Sequence, residues 1–356
     1  MEAIGGMGEL IELKGAVHVH TEFSDGSGNL PEVISAARVA GLDFLAVTDH
    51  RGRRWDRPFP ESGWVDGVLL LSGCEISHKE GHVLCFGLRE TRGLKRIPLR
   101  ECLAEARRQG AVCFAAHPLG MHKPLFRLKV RRWSNWLLDD IEGLEIWSYA
   151  HDWSENLSYR AIWGHLYRPD EQIEGVPQEL TRRWDELSRK KKMVGIGGLD
   201  AHGGKLHMEK LPPTLKPEIF SYSRTFKTIR THVLSEPLTG EDEADAEQVV
   251  KLLATGQSFF AYDRLAESEG FRFWAEANGV RHEMGAEVRG EDVALEVRVP
   301  EEAGIRVIQD GRISGRAKGR ELRLENMEPG AYRVEARMNG KSWIYSNPIW
   351  VKGGEE

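Results

Sequence analysis

Gly15-Ala16-Val17-His18-Val19-His20-Thr21-Glu22-Phe23-Ser24-Asp25-Gly26 is the stretch whose reading decides the fold. Its β-branched apolar run reads as a strand. Alternate side chains of a strand share a face, so His18 and His20 are expected to point together. Two imidazoles on one face can grip a metal ion. Asp25 follows just past a Thr-Glu-Phe-Ser turn, within reach of a neighbouring ion. A histidine pair alone is more often an ordinary half-exposed strand, but here the rest of the chain repeats the pattern.

Working outward, Pro31 to Gly41 reads as a helix capped by Asn29 and stopped by Gly41. The apolar run Asp43 to Val47 then delivers Thr48-Asp49-His50. Val68 to Leu71 leads to Gly73-Cys74-Glu75, and His82 opens His82-Val83-Leu84-Cys85-Phe86. A helix from about Leu99 to Gln109 stops at Gly110, and Ala111 to Ala116 delivers His117-Pro118. Ile141 to Trp147 carries Glu142 and Glu145, and Lys192 to Ile196 leads into Gly197-Gly198-Leu199-Asp200-Ala201-His202. The strand–helix rhythm predicts a parallel sheet with covering helices. Most of these chelating residues end a strand, and in parallel α/β barrels that end carries the active site. The pattern predicts a metal site on a barrel.

Residues 148–190 break the rhythm and are rich in Trp and Arg. They read as a helical excursion over the barrel mouth, its aromatic residues serving packing more than substrate contact, and the basic run Arg189-Lys190-Lys191-Lys192 as a solvated helix end. A strand from Thr228 to Leu234, a helix Ala246–Thr255 and a strand Ser258–Tyr262 close this first domain, 1–266. From 267 to 356 period-two alternation replaces helical patterns, as in Tyr332/Val334/Ala336/Met338. Asn278-Gly279, Asp310-Gly311 and Asn339-Gly340 mark turns, the last a hairpin signal. Short antiparallel strands in a small β-sandwich are expected there.

The 356 residues, 40% apolar and 29% charged, describe a globular protein large enough for one large and one smaller domain. A net charge of −6 gives no global nucleic-acid footprint. No apolar run spans a membrane, and Met1 to Gly8 has no signal-peptide character. Cys74, Cys85, Cys102 and Cys113 form no CxxC pair, which suggests buried reduced thiols and a cytoplasmic location. There is no Gly-x-Ser-x-Gly elbow, P-loop or Gly-x-Gly-x-x-Gly in a strand–helix context.

The assembled pieces, His-Val-His-Thr-Glu-Phe-Ser-Asp-Gly at 18–26, Val-Thr-Asp-His at 47–50, Gly-Cys-Glu at 73–75, Gly-His-Val-Leu at 81–84, Ala-His-Pro at 116–118 and Asp-Ala-His at 200–202, resemble the polymerase-and-histidinol-phosphatase (PHP) superfamily of metal-dependent hydrolases. The Gly-His-Val-Leu element, the excursion and the C-terminal β-domain also look like its CehA/McbA-like branch, which includes carbamate-ester hydrolases. The resemblance implies a distorted (β/α)7 barrel, followed here by the β-sandwich, and two or three divalent metal ions. His18, His20, Glu75 and Asp200 would hold the first ion, and Glu75 would bridge to a second held by His82 and His117. Asp25, His50 and His202 would hold the third.

The ligand types fit Zn²⁺, Mn²⁺ or Fe²⁺, and the absence of thiolates argues against a structural zinc. Such ions lower the pKa of a shared water, which becomes the nucleophile. Asp200 is then a candidate general base. Asp49 is expected to support the ligands rather than react. Arg51, Arg53, Arg54, His151 and Lys205 are substrate-contact candidates, with His122 and His207 in nearby loops. His78, His165, His232 and His282 read as structural. The leading expectation is a phosphoesterase acting on a small phosphoric mono- or diester. The alternatives are a carboxylic or carbamic ester hydrolase, and a non-catalytic metal-binding scaffold. An amidohydrolase barrel also begins with His-x-His, but Asp25, Asp49-His50 and Asp200-x-His202 are not needed there. The β-domain is expected to pack on the barrel or to mediate self-association.

Overall fold

The computed structural model describes residues 10–51, 60–123, 128–134, 136, 140–204 and 220–353. The expectations placed on Met1 to Gly8, Arg53, Arg54, Lys205 and His207 lie outside the described residues. The chain folds as a mixed α/β protein with one large connected sheet. Among the described residues no helix is long and apolar enough to cross a membrane, and the four cysteines are free and buried.

Strands β1 (Ile11–Val19), β2 (Phe44–Val47), β3 (Val68–His78), β4 (Gly81–Phe86), β5 (Val112–Ala115), β6 (Gly143–Ser148) and β7 (Val194–Gly198) pair in that order. The ladder then returns to its start: Leu199 N–H donates to Val17 O (2.9 Å) and His20 N–H to Ala201 O (2.8 Å). Both faces of these strands are buried, which is why they read as continuous apolar runs. One face contributes Val17, Ala46, Leu71, Leu84, Phe114 and Ile196 to a common cluster. Intervening residues such as Ala16, Leu45, Leu70 and Cys85 pack with α1 (Leu30–Val39), α2 (Leu99–Arg108) and later helices.

The expected all-parallel order is broken at β4, which runs antiparallel to both neighbours. Only Lys79 and Glu80 separate β3 from β4, and a parallel return needs a crossover of a dozen or more residues. His82 therefore enters the site from the N-terminal end of its strand.

The excursion contains α3 (Tyr149–Glu155), α4 (Ile162–Tyr167) and α5 (Gln178–Ser188). A short helix α6 (Tyr222–Thr225) precedes β8 (Ile229–Ser235), and α7 (Asp242–Thr255) leads to β9 (Ser258–Tyr262). Helix α7 begins earlier than Ala246 because Asp242, Glu243 and Asp245 fall in its first turn, where acids complement the helix dipole. β8 joins β1 and β9 antiparallel, and β9 pairs onward with a strand of the C-terminal region, so the sheet crosses residue 267 without interruption.

The C-terminal region contains β10 (Arg272–Ala277), β11 (Val280–Glu283), β12 (Ala294–Gln309), β13 (Arg312–Leu324), β14 (Gly330–Met338), β15 (Lys341–Ser346) and β16 (Ile349–Lys352), with a short strand Glu287–Arg289 parallel to β16. It is antiparallel in the main, around a cluster including Phe273, Leu295, Ile305, Val334 and Trp343. Two of these strands are longer than the expected short ones. β12 runs past Pro300 by a register break between Arg298 and Ala303. At the three turns, Asn278 and Gly279, Asp310 and Gly311, and Asn339 and Gly340 all have φ between 51° and 85°, the left-handed pair that tight hairpins demand.

A buried charge cluster ties β1 to β8 and the start of the C-terminal region. His232 Nδ1 lies 2.8 Å from Glu12 and Nε2 lies 3.2 Å from Asp263, while Arg272 donates to Glu12. Burial opposes charge on His232, but Asp263 and Glu12 outweigh it and raise its pKa to about 9. A raised folded-state pKa gives stability that is whole below the unfolded value near 6.5 and lost as pH climbs through 9, here about 3 kcal/mol. The denaturant midpoint is therefore expected to fall between pH 6.5 and 10 more steeply for the parent than for His232→Gln. Parallel pH profiles for the two proteins would refute the assignment.

Candidate metal centre

The residues that close the ladder also converge on one point. His18 and His20 leave the end of β1, but not by the simple alternation that a regular strand predicts. His18 has φ +66° and the β1–β2 register shifts between Ala16 and Val19. His117 (φ +27°) and Asp200 (φ +50°) are also in the left-handed region. Such backbone costs on the order of 1–3 kcal/mol per residue and persists where surrounding structure imposes it. These three left-handed residues, His18, His117 and Asp200, are all aimed at the centre.

Glu75, 1% exposed in mid-β3, is the hub. Its Oε2 lies 3.3 Å from His18 Nε2, 3.3 Å from His20 Nε2 and 3.2 Å from His50 Nδ1. Its Oε1 lies 2.6 Å from His82 Nδ1 and 3.0 Å from His117 Nε2. Asp200 Oδ1 is 3.4 Å from both His18 Nε2 and His20 Nε2. Asp25 stands half-exposed at the rim, 3.5 Å from His50 Nε2 and 3.3 Å from His202 Nε2. The nine residues singled out as ligands are therefore in one cluster. Overlapping groups within it, His18/His20/Glu75/Asp200, Glu75/His82/His117 and His20/Asp25/His50/His202, each bring ligand atoms within 4.8 Å of one another.

The spacing fits metal ions. Four ligands about 2.0–2.1 Å from a tetrahedral ion lie about 3.3–3.4 Å from each other, the separation found among His18, His20, Glu75 and Asp200. His20 Nε2 and His117 Nδ1 are buried without a hydrogen-bond partner. The carboxylates favour a proton on His18, His20 and His117. Burial disfavours charge on His20, yet Asp200 and Glu75 raise its pKa to about 9. Burial would raise Glu75 and Asp200, but the surrounding imidazoles hold both well below the usual carboxylate range. Burial dominates at His50, lowering it to about 4.

Supporting residues fix the ligands. Glu145, central in β6, accepts from His18 Nδ1 (3.0 Å) and from the His117 backbone N–H (2.6 Å). A donor at Nδ1 leaves the His18 Nε2 lone pair facing the centre. Gly198 opposite lacks the Cβ that would collide with Glu145 Oε1. Nothing in the sequence beyond one acid in an apolar run marked Glu145 for this role. Asp49 accepts from Thr21 N (2.8 Å), Thr21 Oγ1 (2.7 Å) and Ser24 Oγ (2.5 Å), holding the turn that presents His20 and Asp25.

Of the substrate-contact candidates, His151 lies against the cluster, its ring stacked on His117 at 4.5 Å, and with His117 and Asp200 it forms a further group whose possible ligand atoms lie within 4.8 Å of one another. Arg51 is 3% exposed, its backbone N–H donating to Glu75 O at 3.2 Å. His122 is exposed on the short strand Met121–Lys123 and joins none of the ligand groups. Trp153 and Trp184 of the excursion are buried in the core, as is Trp147 of β6, while Trp163 of α4 is 55% exposed.

Residues 16–125 match the PHP domain. An uncharacterised protein of Methanocaldococcus jannaschii is 24% identical over 151 residues, covering 39% of this chain and 84% of its own length. Among solved structures, a two-domain Bacteroides vulgatus protein containing a predicted PHP-like metal-dependent phosphoesterase aligns over 96% of both chains with 17% identity and a TM-score of 0.45.

Proposed function

We propose that this chain, a metal-dependent hydrolase whose residues 16–125 are a PHP domain, is a phosphoesterase that cleaves a small phosphoric ester. The observation that carries this reading is the set of overlapping ligand groups around Glu75. Clustered divalent ions held there would attract an anionic phosphoryl group and share its charge, which favours a phosphoric ester over a neutral carboxyl ester.

Divalent ions bound here would polarise the phosphoryl oxygens and acidify water. His18, His20, His82 and His117 would hold two of them with Glu75 and Asp200, and Asp25, His50 and His202 the third. Glu145 and Asp49 keep those ligands in place. Asp200 turns Oδ1 to His18 and His20, which leaves Oδ2 to take a proton from the attacking water. We read the closed ladder β1 to β7 as the distorted (β/α)7 barrel, and residues 267–356 as a β-sandwich sharing its sheet through β9.

Nitrophenyl phosphate, bis-nitrophenyl phosphate, and a nitrophenyl ester and carbamate, compared on Mn²⁺- or Zn²⁺-loaded protein, test the reading. Turnover of phosphates that chelation removes, that metal restores and that His117→Ala lacks is the expected result. Turnover of the carboxyl ester or carbamate alone would overturn it, and no metal-dependent turnover of any of them would favour a scaffold.

A further inference from the structure

His151 stands in the first turn of α3, directly after β6, with its ring stacked on His117 at a 19° interplanar angle. Ser148 Oγ lies 3.2 Å from Nδ1. Asp200 Oδ2, at 3.8 Å, is beyond hydrogen-bonding distance of that atom. Of the two directions this contact allows, the hydroxyl donating to Nδ1 leaves the ring proton on Nε2. Nε2 is buried and has no partner. A buried donor left unmade is costly, and this one belongs to a ring pinned on one face by His117 and at one nitrogen by Ser148. Asp200 points one oxygen at His18 and His20 and the other toward His151. The reacting group would sit between them.

We propose that His151 contacts the substrate, donating from Nε2 to the phosphoryl oxygen on which charge builds during the reaction. This rests on the phosphoesterase reading. It assigns to His151 a role distinct from the nine ligands: stabilising developing charge, rather than holding an ion as its grouping with His117 and Asp200 would also allow.

Protein loaded with Mn²⁺ is compared with His151→Ala and His151→Gln by metal analysis after dialysis, thermal melting, calorimetric titration with inorganic phosphate, and turnover. The Ala variant is expected to keep the parent's metal content and melting midpoint. It should bind phosphate about tenfold more weakly and lose about 100-fold in kcat with KM little changed. Gln keeps a donor and should recover part of both losses. An Ala variant short of one equivalent of metal would make His151 a ligand and overturn the proposal. Unchanged phosphate affinity and kcat would make it a packing residue, with the same consequence. A parent that cleaves only carboxyl esters would defeat the phosphoesterase reading instead. The Ala and Gln pair is then read on that ester, where an unchanged kcat overturns the role of His151.

Discussion

Glu75→Gln is expected to lower turnover roughly 10⁴-fold, the equivalent of about 5 kcal/mol of barrier, and to remove about two ions from the dialysed protein. No other carboxylate in the site faces so many ligands. Oε1 serves His82 and His117, and Oε2 serves His18, His20 and His50. Glutamine is nearly isosteric but brings one neutral acceptor and an NH₂ group that would face imidazole lone pairs. Each of two ions would then lose its shared anionic ligand, while Asp25 and His202 at the rim are untouched. The stabilisation that saturating metal gives the parent, about 4 kcal/mol at a thousand times Kd, should shrink in the same variant. Metal analysis and the metal-induced melting shift are the measurements. Full retention of metal with less than tenfold loss of turnover would show that Glu75 is not shared.

The variant also shows what local sequence can and cannot reveal. His18, His20 and Asp25 announce themselves because they are close in the chain, and Asp49-His50, His117-Pro118 and Asp200-x-His202 because each ends an apolar run. The three hairpin turns are legible for a similar reason: Asn-Gly and Asp-Gly tolerate the left-handed φ that two-residue turns require. Facts that depend on cross-strand register are not written locally. Glu145 matters because β6 lies between β5 and β7, which places it against His18 and the His117 N–H and makes Gly198 the neighbour that leaves it room. The reversal of β4 was concealed by an apolar pattern that is the same in either direction, and only the two-residue link from His78 to Gly81 argued for it. The left-handed backbone at His18 has no sequence signal, since it sits where the β1–β2 register shifts and Val19 bridges to Ala201.

The second large effect is expected far from the chemistry. Arg333 of β14 is 3% exposed and makes a bidentate pair with Asp185 of α5, Nε to Oδ1 at 2.6 Å and an Nη to Oδ2 at 2.9 Å. Its other contacts are Glu335 at 2.8 Å and the face of Trp184, 5.1 Å from the ring centroid. Burial opposes the guanidinium charge, and Asp185 outweighs it, holding the Arg333 pKa above its ordinary value. Asp185→Ala would leave that charge buried against Glu335 alone, so a loss of about 3–5 kcal/mol is expected. It should appear as a lower denaturant midpoint, with turnover at permissive temperature unchanged because neither residue belongs to the metal groups. Removing both charges in Asp185→Leu/Arg333→Met should cost far less than the single change, since no uncompensated ion remains. A double variant as unstable as Asp185→Ala would show that the contact between α5 and β14 depends on shape rather than charge, and the pair would then be incidental to how the C-terminal sheet is held on the excursion.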